Sequence, residues 1–170
     1  MANVDRADGF TPINLVSTLP PNKYTMAADE TTKKGDIVFI DSDGLITGTA
    51  GIIAGIQASA FWTPADGSVN ATSVAGDEVM IYDDPFLVFR AQISTFTATD
   101  PYTTRSSAAC YDVAGSAGAQ YINAAASTQD LFKIMSLTTE PNTPAMSVAG
   151  ANAKVLARFN ILKHMFGCIA

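Results

Sequence analysis

Phe86-Leu-Val-Phe-Arg-Ala-Gln-Ile93 carries a clear strand signal. Leu87, Phe89, Ala91 and Ile93 share one side of an extended chain, and Arg90 and Gln92 share the other. That is the period-two alternation of a strand with one buried face. Asp83-Asp-Pro85, just before it, is a turn signal: Asp side chains bond their own backbone and proline fixes φ. Working outward, Lys154-Val-Leu-Ala-Arg-Phe-Asn-Ile161 repeats the alternation, with Val155, Ala157, Phe159 and Ile161 set against Arg158 and Asn160. Ile37–Ile40, Ile52–Ile56, Val79–Tyr82 and Leu131–Leu137 are shorter apolar segments of strand character. Turn signals separate them at Asp41-Ser-Asp-Gly44, Asp66-Gly67 and Glu140-Pro-Asn-Thr-Pro144.

No segment carries a helical apolar stripe over three turns with caps at both ends. The prediction is therefore one all-β domain, an antiparallel sandwich or barrel of jelly-roll type. The stretch from Ser94 to Asp130 is rich in small and polar residues and predicts loops and short strands, with one helical turn at Ala124–Ala126. Residues 24–162 form the predicted body. Residues 1–23, broken by Gly9, Pro12 and Pro20-Pro21, read as an extended N-terminal arm. Its anchors are Phe10, Pro12, Ile13, Leu15 and Val16, expected to become ordered against a partner. Residues 163–170 form an apolar tail. Together with Ile161 and Leu162, its Met165, Phe166 and Ile169 are expected to pack within or beneath an oligomer.

The composition narrows the function. Of 170 residues, 48% are hydrophobic and only 15% charged, so the surface must be built largely from small neutral residues. Such a surface suits close contact with other protein, because little charge must be desolvated. The net charge is −6, and the ten Lys and Arg are scattered, with Lys33-Lys34 the sole adjacent pair. That argues against nucleic acid and against anionic membranes as partners. No apolar run approaches the roughly 20 residues that span a bilayer, and the polar, acid-bearing start is unlike a signal peptide. Synthesis in the cytoplasm, with Cys110 and Cys168 as reduced thiols, is the expectation.

Candidate chemistry is sparse. His164 is the single histidine, so Cys110 or Cys168 with His164 is the only thiol–imidazole combination, and it reads as structural. No Gly-x-Ser-x-Gly elbow and no glycine-rich phosphate loop occurs. Asp41 and Asp43 resemble the start of a calcium loop, but no Glu follows where such a loop closes. Asp83-Asp84 reads as a turn. Phe61-Trp62 reads as a core or interface anchor rather than a sugar platform. No catalytic, cofactor-binding or metal-binding residue is predicted, and no cofactor.

Several motifs together resemble a family. Met1-Ala-Asn-Val with Gly9-Phe-Thr-Pro12 is similar to the start of the decoration, or cement, proteins that stabilise tailed-phage heads. Lys34-Gly-Asp-Ile-Val38 resembles the family's Gly-Asp-x-Val segment. Tyr82-Asp-Asp-Pro-Phe-Leu-Val-Phe-Arg-Ala-Gln92 resembles its Asp-Asp-Pro strand, and Ala151-Asn-Ala-Lys-Val-Leu-Ala-Arg-Phe-Asn160 its closing strand. Ser94 to Gln129 and the extension Ile161 to Ala170 depart from the pattern. The resemblance implies a β-rich virion protein on the outer capsid surface, often a homotrimer, whose arm bridges neighbouring major capsid proteins. The same composition also permits a tail-tube or fibre-base subunit. A small β-barrel enzyme or ligand-binding protein would rest on the cysteines and His164 alone.

Overall fold

The computed structural model describes residues 7, 9–13, 20–49, 52–58, 72–101, 110–139 and 145–166. In chain order the described strands are β1 (Thr11–Pro12), β2 (Asn22–Thr25), β3 (Ile37–Ile40), β4 (Ile46–Thr47), β5 (Ile52–Gln57), β6 (Glu78–Tyr82) and β7 (Val88–Gln92). There follow β8 (Thr95–Phe96), β9 (Asp112–Ala114), β10 (Tyr121–Asn123), β11 (Phe132–Leu137), β12 (Gly150–Ala151) and β13 (Lys154–Phe159). They form a four-stranded sheet in the order β1-β7-β13-β11 and a five-stranded sheet in the order β2-β6-β5-β3-β4. β9–β10 and β8–β12 make two small ribbons. The strand ladders are antiparallel throughout. The protein is an all-β sandwich.

Alternation builds the core. Phe89 and Ala91 of β7, Ile134 of β11, and Val155, Ala157 and Phe159 of β13 point inward. They meet Ile37, Phe39, Ile53 and Ile56 from the other sheet in one cluster. Its centre is aromatic. Phe89 lies 5.4 Å from Phe10 and 5.1 Å from Phe159 between ring centroids, and Phe10 stacks on Phe132 at 5.0 Å. A second cluster of Met26, Val38, Ile46, Ala54, Val79 and Ile81 covers the far side of the five-stranded sheet. That sheet is thus buried on both faces.

The strands predicted from alternation are present at their expected places, but three details differ. The closing strand stops at Phe159, because the chain turns into the 3-10 segment Ile161–Lys163, and this leaves Ile161 on the surface instead of in the core. Ala124–Ala126 is a simple turn, with the Ala126 N–H reaching only the Asn123 carbonyl. Residues 9–13 are part of the body rather than of a separate arm: Thr11 and Pro12 pair with Arg90 and Phe89, and Phe10 is 1% exposed. The reason is local. Gly9 has φ +71°, and a Cβ there would sit 2.7 Å from the Gly35 carbonyl oxygen, so only glycine allows this approach. The Phe10 N–H then donates to that same oxygen at 2.7 Å and the ring drops into the core.

The segment after β13 also joins the fold. β6 pairs with β5 only at Ile56 and Gln57. Farther along β5, His164 bridges Ile53 in parallel and the Met165 N–H donates to the Ile53 carbonyl at 2.9 Å. Met165 packs on the second cluster.

Candidate functional site

The buried acids are used to hold loops. Five aspartates are buried: Asp36, Asp77, Asp83, Asp100 and Asp112. Three of them repeat one device. Asp36, Asp77 and Asp100 each accept the N–H of the residue three before, Lys33, Val74 and Thr97, at 2.7–2.8 Å. Each also donates its own N–H to the carbonyl of that same residue. Two such turns lead directly into strands, β3 after Gly35-Asp36 and β6 after Gly76-Asp77. Asp36 additionally accepts the Gly118 N–H, tying the β9–β10 turn to the second sheet; burial raises its pKa, opposed by the Lys33 and Gly118 N–H donors. Asp112 accepts three successive N–H groups, Thr128, Gln129 and Asp130, at 2.8–2.9 Å. Carboxylates with this many internal donors are structural staples.

Asp41 and Asp83-Asp84 follow the turn reading. Asp41 Oδ1 accepts the N–H groups of Asp43 and Leu45, both at 2.9 Å, and Asp84 Oδ1 accepts the Phe86 N–H at 2.8 Å. Asp83 faces the other way and takes the Asn22 amide and the Tyr24 hydroxyl. Burial, with that hydrogen bond, raises the Tyr24 pKa above its ordinary value. Among the described residues no group of three His, Cys, Asp or Glu is placed to hold a metal ion, and no helix is long and apolar enough to cross a membrane.

His164 is fully buried, with its ring 5.3 Å from that of Phe159 and 5.9 Å from that of Phe166. Nδ1 accepts the Phe166 N–H at 3.3 Å, which places the ring proton on Nε2, and Nε2 has no partner. Burial pushes its pKa down to about 4, against a smaller upward pull from Asp83 and Asp84. The imidazole is therefore neutral near pH 7. Cys110 is buried and its thiol pKa is raised by that burial, the reverse of nucleophile activation. Cys168 lies outside the described residues.

The predicted contact residues part company. Phe10 is a correction: it is consumed by the protein's own core, because the aromatic cluster is incomplete without it. Pro12 is half-buried in β1, while Ile13 is 46% exposed beside Val88. Met165 is half-buried, and Phe166 is 55% exposed. Leu15, Val16, Phe61, Trp62 and Ile169 lie outside the described residues. Leu162, expected with the tail to pack in an oligomer, is 69% exposed, and so is Phe86, which sequence reading did not single out as a contact. The Asp84–Leu87 turn lifts Phe86 out of the strand alternation. Beside it runs a groove of about 240 Å³ lined by Pro85, Phe86, Lys133, Arg158, Phe159 and Ile161. The signal that finds Phe86 in the sequence is its place directly after Asp-Asp-Pro, within the turn rather than the strand.

The arrangement offers surface and little interior: buried carboxylates engaged with backbone, a neutral imidazole, and large apolar side chains exposed around the 84–87 turn and the 161–166 segment. No protein-family model, no curated protein and no solved structure matches the chain.

Proposed function

We propose that the protein is a non-enzymatic virion component that binds the outer surface of a tailed-phage capsid and cements neighbouring major capsid proteins. The observation that carries this reading is the exposure of three large apolar side chains, Phe86, Leu162 and Phe166, on a sandwich whose buried acids are engaged internally. Large apolar side chains left in water favour a protein partner. The motif resemblance supplies the kind of partner, and it favours a homotrimer. Repetition of a modest contact through an oligomer raises effective concentration, so the whole attachment becomes strong. Binding to the closed shell then stabilises that shell by mass action. The chemistry needs no cofactor.

Imaging of whole particles of the phage that encodes the chain tests the reading. The expected result is density for the sandwich outside the shell, with particles lacking the protein breaking at lower temperature. Absence from particles, or a position in the tail, overturns it.

A further inference from the structure

The outer face of the β1-β7-β13-β11 sheet carries charge of one sign. Alternation turns Arg90, Arg158 and Lys133 away from the core. In the register Lys133 lies opposite Arg158, and Arg90 opposite Leu156. Like charges directly across a strand pair cost stability, so this pairing does nothing for the isolated fold. Among the described residues, none of the three cations meets a carboxylate; the ion pair present is Lys23–Glu78, at 2.9 Å, on the other sheet. Half-buried Val88 and Leu156 separate the charges, giving a face that is part apolar and part basic.

Exposed carboxylates gather elsewhere. Asp41 and Asp43 project from the β3–β4 turn, at the edge of the five-stranded sheet. The two N–H bonds to Asp41 Oδ1 fix the shape of that turn. The basic face and the acidic turn belong to different sheets, and the face looks outward, away from the layer that carries the turn.

We propose that the basic outer face of one copy docks the acidic β3–β4 turn of a second copy, head to tail. A face-to-face contact between two copies would oppose cation to cation and is disfavoured. A head-to-tail contact joins opposite charges and closes into a ring when the rotation allows. This deepens the oligomer in the proposed function and rests on it. It is measured on purified protein without particles, so it can fail while capsid attachment stands.

The experiment is sedimentation velocity of the full chain at about 50 mM and about 500 mM sodium chloride. The expected result is an oligomer at low salt that dissociates toward monomer at high salt. Arg90→Glu with Arg158→Glu is expected to weaken association about tenfold or more. Ser42→Lys with Asp43→Lys, which keeps the turn-forming Asp41, is expected to do the same. Neither variant pair should unfold below the parent: Arg158, Ser42 and Asp43 are exposed, half-buried Arg90 faces outward, and Arg158→Glu sets a carboxylate opposite Lys133. An equimolar mixture of the two variants should associate again, because the reversed face then meets the reversed turn. A monomer at low salt overturns the proposal, as does an oligomer indifferent to the face variant. Failure of the mixture to associate overturns the choice of the β3–β4 turn.

Discussion

Phe89 and Phe86 stand three residues apart and meet opposite fates: Phe89 is wholly buried among Phe10, Phe132 and Phe159, whereas Phe86 is 69% exposed. Phe159 and Phe166 repeat the contrast near the end of the chain. Side-chain chemistry is the same in each pair, so backbone geometry makes the difference. The buried rings sit on strand positions that alternate inward, and the exposed rings sit on turns. The lesson is that one residue type serves two purposes here. The buried set holds the chain together, and the exposed set is what the proposed capsid contact would use.

Four measurements test that division. Phe10→Ala removes a ring from the buried set and is expected to cost about 3–5 kcal/mol in chemical denaturation. A cost below about 1 kcal/mol would return Phe10 to the partner-contact role that its position near the start of the chain suggests. Asp112→Ala strips the acceptor from three backbone N–H groups and is expected to cost about 2–3 kcal/mol.

His164 sits where the two sets meet, between Phe159 and Phe166. Its folded pKa of about 4 lies below its ordinary 6.5, so the unfolded chain binds the proton more readily. Stability contributed by the neutral ring is complete above pH 6.5 and is lost as pH falls from 6.5 toward 4. By pH 5 the loss should reach about 2 kcal/mol, measured as the acid-induced fall of the parent minus that of His164→Phe. Equal falls in the two proteins would mean that the ring is not held neutral. The smallest effect is expected from Phe86→Ser with Phe166→Ser, within about 0.5 kcal/mol of parental stability. The same variant should bind particles less well, and a large loss of stability would move both rings into the buried set.

Much of the sandwich is legible because its signals are local: alternation in β7 and β13, and short apolar runs between turns in β3, β5, β6 and β11. β3, β5, β6, β7, β11 and β13 all carry their signal within a few residues, and each lies where the pattern places it. The Gly-Asp pairs before β3 and β6 are legible in part, since the Asp bonds a residue only three positions back. Asp112 is not legible, because its donors lie 16 to 18 residues away and nothing nearby marks them. Phe10 shows the same limit. An apolar residue among prolines announces that it will be buried, yet the surface that buries it comes from Phe89 and Phe132, far along the chain. The candidate surface is less legible still: the outward placement of Arg90 and Arg158 follows from alternation, but their sharing a face with Lys133 depends on which strands are neighbours.

The strand order of the smaller sheet also dictates timing. Its second strand, β7, is flanked by a piece from the start of the described chain and a piece from near its end. A ribosome-bound fragment that ends before Lys154 therefore has an aromatic centre missing Phe159 and a β7 edge without β13. Such contacts, distant along the polymer, delay collapse to a finished shape. Copies that assemble through completed faces, as proposed above, would then accumulate only after translation has passed the closing strand.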